Sequence, residues 1–229
     1  MHINRAILPP GRIGLAVSGG SDSVALAFLL TKGGKKKNAA ERFVILHVDH
    51  GLRKESKAEY RFVRNLAKRL GIPFRGTHAH IVRAKGESLE MAARRVRLAF
   101  FSKCMRTLKL DAIATGHHAD DVAETFIMRL RRASGPEGLS GIRPRSQVGD
   151  IRFVRPLLGC RDAELKAYLE KYHETWCEDA SNDDTSIERN LIRHEIIPYL
   201  EAHYDPKLVD HLSSVCTFLR EELKGHTRK

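Results

Sequence analysis

Ser18-Gly19-Gly20-Ser21-Asp22-Ser23 follows an apolar run and precedes a helical one, and it brings together what an anion-holding turn requires. Glycine reaches backbone conformations closed to other residues. It also lets main-chain amides approach an anion at a helix N-terminus, where the partial positive charge is favourable. Hydroxyls of Ser18, Ser21 and Ser23 add donors. A carboxylate inside a phosphate cradle repels its ligand unless a cation lies between them, so Asp22 implies Mg2+ shared with phosphate oxygens. The bland alternative is a Gly-Ser turn that merely caps the helix. No Gly-Lys-Ser/Thr follows, so this is not a Walker loop.

Thr115-Gly116-His117-His118-Ala119-Asp120-Asp121-Val122-Ala123-Glu124-Thr125 is a second concentration of reactive groups. On a helix, Asp121 and Glu124 share a face, as do Asp120 and Glu124. Carboxylates beside a phosphate site call for a cation, either Mg2+ or the ammonium of an amino-acid substrate. An amine must lose a proton before it attacks, and a carboxylate, or His117 or His118 with a pKa near neutral, would take it. Two rival readings are a binuclear metal site on His-His-x-Asp-Asp and, for Asp120, an acidic helix N-terminus without a ligand. Arg94 and Arg97 lie on one helical face with Glu90 and would steady charge developing on a phosphate, or else pair with Glu90. Trp176, the single tryptophan, could stack a base, but a core anchor is the better reading. Arg189-Asn190 and Arg193-His194 read as a charged helix face.

The elements that must position these groups alternate along the chain. Ile13–Val17, Phe43–Val48, Phe74–Ile81 and Ala112–Thr115 read as strands. Asp22–Thr31, Lys54–Leu70, Leu89–Leu108 and Ala119–Leu130 read as helices, the second stopped by Gly71 and Pro73. This predicts an α/β fold: a doubly wound, mainly parallel sheet with helices on both faces. Ligands in such folds bind beyond the carboxyl ends of strands, which is where the unusual residues cluster. Gly33-Gly34-Lys35-Lys36-Lys37 reads as a disordered surface loop, and the turn-rich stretch from Ala133 to Pro144 as a mobile or substrate-facing one. Past Pro156 the pattern is helical, over Arg161–Tyr172, Ile187–Leu200 and Pro206–Leu223. The expected division is a catalytic domain over residues 1–150 and a mainly helical C-terminal portion over 151–229, packed on or extending it.

Lys and Arg number 40 against 28 Asp and Glu, a net charge of +12, which favours a polyanionic partner through counterion release. Lys32 to Lys37, Arg129 to Arg132 and Arg143 to Arg155 supply basic clusters beside the candidate site. No run is long and apolar enough for a membrane span, and no secretory apolar region follows the N-terminus. Cys104, Cys160, Cys177 and Cys216 form no CxxC pair, which favours a reducing cytoplasmic setting and argues against structural zinc or an iron–sulfur cluster.

Strand, SGGxDS and helix in this order resemble the pyrophosphate (PP) loop of the N-type ATP pyrophosphatases, of the adenine nucleotide α hydrolase-like fold. These cleave ATP between the α and β phosphates. Within that group, His47-Val48-Asp49-His50-Gly51-Leu52-Arg53 resembles the HVxHGLR segment of the tRNA(Ile)-lysidine synthetase family, and residues 115–125 its TGHHxDDxxET. Glu90 to Arg97 is similar to its ExxARxxR, and Arg155-Pro156-Leu157-Leu158, Trp176 to Asn182 and Arg189 to His194 extend the likeness to about residue 200.

The resemblance implies ATP as co-substrate with Mg2+ on Asp22, and Ser18 to Ser23, His47 and Asp49 as ATP contacts. It implies free L-lysine held by Asp121 and Glu124, and Asp22, Arg97, Asp121 and Glu124 as catalytic. A tRNA(Ile) with a CAU anticodon would be the partner, with His50, Arg53, Arg94, His117, His118, Arg132, Arg189 and Arg193 as candidate base or tRNA contacts. The implied product is lysidine at the wobble cytidine, through an adenylated base. Alternatives are another PP-loop tRNA enzyme, such as a thiolase, and an inactive RNA-binding module. Departures from the pattern are Ala133 where the family has Gly, and Leu98 where an aromatic follows the second Arg. Many family members carry a further C-terminal tRNA-binding domain, which admits a short form or a truncated chain. Oligomeric state is open, a homodimer included.

Overall fold

The computed structural model describes residues 1, 3–32, 36–51, 56–178 and 184–226. Its frame is a six-stranded sheet of β1 (Ile13–Ala16), β2 (Phe43–Asp49), β3 (Phe74–His78), β4 (Ala112–Ala114), β5 (Arg145–Val148) and β6 (Ile151–Val154), in the spatial order β3-β2-β1-β4-β6-β5. All neighbouring pairs are parallel except β5–β6, an antiparallel hairpin. The helices are α1 (Ser21–Thr31), α2 (Lys36–Arg42), α3 (Ser56–Leu70), α4 (Leu89–Thr107), α5 (Ala119–Arg131), α6 (Pro136–Leu139), α7 (Asp162–Lys171), α8 (Glu188–Leu191), α9 (Ile197–His203) and α10 (Leu208–His226), with a π-helical turn, Ile192–Ile196, joining α8 to α9.

Strand periodicity divides the core. Ile13 and Leu15 of β1 and Phe43 and Ile45 of β2 face α1, α3 and α7, whereas Val44 and Leu46 face Phe101, Cys104 and Met105 of α4. Leu15, Ile45, Leu66 and Leu165 are each 0% exposed, and each stabilises the fold by about 1.5–3 kcal/mol. A third cluster joins Ala119 and Ala123 of α5 to Ile192, Ile197 and Val209, so the C-terminal helices pack on the helix that follows β4. Trp176 is half-buried against the first core cluster, as an anchor rather than a free base platform. Among the described residues no helix is long and apolar enough to cross a membrane.

β1 lies between β2 and β4, so the crevice at the topological switch opens beyond their carboxyl ends. There the chain delivers residues 18–23 after β1 and 115–118 after β4. Gly116 packs so closely that a Cβ would stand 2.9 Å from the Asp22 carbonyl group.

Apart from shifts of up to three residues at element ends, such as β3 stopping at His78 rather than Ile81, the structure departs from the sequence expectation in four places. Lys36 and Lys37 belong to α2 rather than to a loop; residues 33–35 lie outside the described residues. The hairpin β5–β6 occupies part of the stretch read as turns, and β6 carries the sheet past residue 150, so the helical portion starts at α7. Residues 136–142 are pinned rather than free: Arg129 donates to the Gly138 and Gly141 carbonyls, and Arg220 to those of Ser140 and Ile142. The helix read over Ile187–Leu200 is interrupted by the π turn and runs on to His203.

Ala133, just past the end of α5, has φ of 49°, a left-handed conformation that costs an L-residue roughly 1–2 kcal/mol. Ala133→Gly should therefore stabilise the protein by about 1 kcal/mol and raise its melting temperature by about 2–4 °C. Thermal and urea unfolding check this; an unchanged or lower midpoint contradicts it.

Candidate active site

The loop after β1 is shaped by its own serine. Ser23 Oγ accepts from the amides of Ser18 (3.1 Å) and Gly19 (3.2 Å) and donates to the Gly20 carbonyl (2.9 Å). Ser23 is buried, so its hydroxyl braces the loop from beneath rather than offering itself to a ligand. Gly19 has φ of 118°, which glycine tolerates, and its carbonyl accepts from Cys177 N at 2.9 Å. No side chain caps α1, so its first-turn amides remain available to an anion, and the dipole favours one.

Behind the loop lies a circuit of charges. His118 is 1% exposed, with Nδ1 3.2 Å from Asp120 Oδ2 and Nε2 3.5 Å from Asp22 Oδ2 and 3.6 Å from Asp121 Oδ2. Burial alone would neutralise it, but Asp120 and Asp22 outweigh burial and push its pKa up to about 10. Asp22 is correspondingly held below the usual carboxylate range; burial opposes this and His118 overrides it. Asp120 also binds Arg161 Nε (3.0 Å) and Asp162 N (2.8 Å), and Arg161 continues to Glu201 at 3.0 Å.

Asp121 and Glu124, expected as partners of a substrate ammonium, meet arginines from the C-terminal helices. Arg189 reaches Asp121 at 2.9 Å and Glu124 at 2.7 Å; Arg193 reaches Glu124 at 2.5 Å and Asp121 at 3.3 Å. Glu124 is 0% exposed and both its oxygens are taken, so it would meet an ammonium only if an arginine released it. Asp121 still lines the cavity in front of the loop.

That cavity has a volume of about 520 Å³, and Ser18, Gly20, Asp22, Ser23, His47, Asp49, His50, Arg94, Arg97, His117 and Asp121 all line it. His47 sets its Nδ1 2.8 Å from the Val17 carbonyl, and burial lowers its pKa, leaving a neutral ring. Asp49 accepts from Gly51 N and His78 Nδ1, both at 2.8 Å, so it holds the turn after β2. His117 sits 2.8 Å from Thr115 Oγ1, and burial, with help from nearby arginines, lowers its pKa to about 4. The expectation of two histidines titrating near neutrality is thus corrected: desolvation drives one down, and three carboxylates drive the other up.

The remaining expected residues lie elsewhere. Gly19 and Ser21 belong to the loop but not to the cavity lining, and Arg132 sits on the far end of α5, 2.9 Å from Glu188. His118, Arg189 and Arg193 stand behind the cavity as the circuit described above. Arg53, with the start of the helix read from Lys54, and residues 179–183 lie outside the described residues. Sequence reasoning missed Arg155 as a site residue, along with Thr115 and the Asp120–Arg161–Glu201 chain. Arg155 immediately follows β6, and recognising that strand would have exposed it through the strand-end rule.

Asp22 fits a divalent cation. Its side chain is 34% exposed toward the cavity, and one ligand atom each from Asp22, His118 and Asp162 lie within 4.8 Å of one another. His118 is cationic and committed to carboxylates, so the available donors are carboxylate oxygens beside a phosphate cradle, the preference of Mg2+.

Fold and site together define an α/β protein with an anion-binding loop at the switch point of its sheet. The chain belongs to the PP-loop domain family, whose model matches residues 2–200. It is 43% identical over 201 residues to the tRNA(Ile)-lysidine synthase of Thermus thermophilus, covering 86% of this chain and 37% of that one. It is 41% identical over 212 residues to that of Solibacter usitatus, covering 92% and 46%. The chain therefore spans less than half the length of these relatives. Among solved structures, the U34-tRNA thiolase NcsA from Methanococcus maripaludis, with its [4Fe-4S] cluster, superposes with a TM-score of 0.75 at 17% identity, covering 96% of this chain and 76% of that one, a likeness of fold.

His118 gives the site a pH signature. Its folded pKa of about 10 lies above the unfolded value of about 6.5, so its stabilisation is complete below pH 6.5 and is lost as pH rises toward 10. In magnesium-free buffer the unfolding free energy should fall between pH 7 and 10, and His118→Gln should remove much of that slope. Equal slopes in urea titrations of the two proteins would contradict the buried imidazolium.

Proposed function

We propose that this chain carries the ATP-dependent chemistry of a tRNA(Ile)-lysidine synthetase, a ligase acting in the cytoplasm. It would adenylate the wobble cytidine of a CAU-anticodon tRNA(Ile) and then place the side-chain amine of free L-lysine on C2, giving lysidine, AMP and pyrophosphate. The observation that carries the reading is the cavity itself, with a phosphate loop and Asp22 at one end and Arg94, Arg97 and Arg155 also on its wall. Relatives at 41–43% identity bear the lysidine synthase name. The fold likeness to a thiolase supports the rival only at the level of fold, and this chain's cysteines do not gather at the site: Cys177 stands against Gly19 of the loop, but Cys104 and Cys160 lie in different core clusters and Cys216 beside Gly141.

In this reading the α1 amides and residues 18–23 hold the β and γ phosphates, and His47 and Asp49 shape the wall for adenine or ribose. Asp22, with phosphate oxygens, would hold Mg2+, which when bound supplies charge neutralisation on the phosphates. Arg97 faces the α phosphate as the cytidine O2 attacks it, and Arg94 and His50 border the entering base. Adenylation turns a poor leaving group into AMP. Asp121 then orients the lysine ammonium and takes the proton that it must lose before attacking C2, while His117, its pKa lowered to about 4, stays neutral on the wall. Arg189 and Arg193 hold the Asp121 and Glu124 side chains in place.

The protein incubated with Mg-ATP, labelled lysine and CAU-anticodon tRNA(Ile) should put label into the tRNA and release AMP. Folded protein that leaves the tRNA unlabelled would defeat the assignment. Asp22→Asn should slow pyrophosphate release by roughly 100-fold or more, as loss of several kcal/mol of charge stabilisation implies. A variant of near wild-type rate would remove Asp22 from the metal role.

A further inference from the structure

A second cavity, of about 590 Å³, shares His117 and Arg155 with the first and is otherwise walled by Arg129 of α5, Ser146 of β5 and the segment between those elements. Its charge is lopsided. Arg129, Arg143 and Arg155 line it against a single acidic residue, Glu137. Arg129 is committed to the carbonyls of Gly138 and Gly141 and serves the wall. Arg143 stands at the rim, 53% exposed, and meets Glu137, itself 80% exposed, at 3.0 Å. Such an exposed pair is worth little and yields readily to a stronger anion.

Arg155 is the unusual member. Its Nη1 donates to the Arg143 carbonyl (2.7 Å) and to Ser146 Oγ (2.9 Å), which fixes the guanidinium in the partition between the two cavities. Its Nε is buried without an acceptor. Among the described residues no carboxylate lies within ion-pair distance of it, and burial and the nearby charge of Arg94 both work against its own charge. A fixed, desolvated guanidinium with an unused donor calls for an oxyanion. Apart from the triphosphate, which the loop after β1 places in the first cavity, two such ions are at hand in the reaction, a phosphodiester of the RNA strand and the carboxylate of a free amino acid. An amino acid would also need a place for its ammonium, and the cavity's one carboxylate faces Arg143. A base inserted in the first cavity drags its own flanking phosphate to just outside that cavity, where Arg155 and His117 stand.

We infer that the second cavity seats a backbone phosphate flanking the reacting base, held by Arg143 and Arg155. This rests on the function proposed above and adds a route for the RNA strand. The test measures binding of a CAU anticodon stem-loop RNA and, separately, of ATP to the full chain and to Arg143→Gln, over a range of salt. RNA affinity of the variant should fall roughly five- to tenfold at 0.1 M salt, and the salt slope by about 0.7, the share of one single-strand phosphate. ATP affinity should stay within twofold.

A chemical counterpart leaves the protein untouched. Replacing one flanking phosphate of the RNA by a neutral methylphosphonate should reproduce the loss with wild-type protein, and should cost Arg143→Gln nothing further. Wild-type affinity and slope in the variant, or losses that multiply when variant and neutral RNA are combined, would overturn the inference. So would a raised half-saturation for lysine with RNA binding unchanged, which would put a carboxylate there instead. Wild-type protein that binds ATP but no RNA would overturn this inference while leaving the nucleotide cavity standing. Failure to bind ATP would remove the underlying reading as well.

Discussion

The arrangement depends on one partly buried electrostatic circuit, with His118, Asp121 and Glu124 at its buried centre. Asp22, Asp120, Asp121, Glu124 and Glu201 are interleaved with His118, Arg161, Arg189 and Arg193, so that each cation touches at least two carboxylates. Buried ion pairs contribute little net stability, because desolvation cancels much of the attraction. Removing one member is costly, however, since it strands a charge in a poorly solvated place. A circuit of this kind therefore selects a single geometry more than it deepens the fold. Here the geometry selected joins the phosphate loop, the start of α5 and the C-terminal helices as one unit.

That coupling explains why the helical C-terminal part is not an appendage. Arg189 and Arg193 come from residues 188–203, where the backbone passes through a π turn, a local feature often found at functional sites. Cys177 reaches the loop from another direction, through its amide on Gly19. The sheet supplies a crevice, but the charges that hold Asp22 toward it arrive from distant sequence, His118 directly and Arg161, Arg189, Arg193 and Glu201 through the circuit behind it. Arg155 plays the matching part on the opposite wall, anchored by the hairpin rather than by a carboxylate.

Much of this was legible in the sequence, and the reasons are local. The parallel frame followed from alternating β-rich and amphipathic runs, and α3 from the spacing of Phe62, Leu66 and Leu70 with Gly71 and Pro73 beyond. The glycine-serine loop was legible because few other functions need that residue set between a strand and a helix. The hairpin β5–β6 was not, since its residues Arg145 to Val148 and Ile151 to Val154 are short, partly charged and flanked by turn-formers. Nor were the fates of the two histidines. Adjacent in sequence, they differ because His118 points among three carboxylates and His117 into a desolvated wall beside arginines, a distinction set by tertiary neighbours alone. The partners of Asp121 and Glu124 were hidden for the same reason.

The most direct measurement of the coupling is hydrogen exchange on Glu124→Gln beside the wild type. Glu124 does not line the cavity in front of residues 18–23, so any change in those residues must travel through the arginines and His118. Faster exchange should appear together in residues 18–23 and in residues 188–203, while β1 and β2 keep their protection. If the helices loosen and residues 18–23 exchange as in the wild type, the circuit does not hold the loop and the account fails.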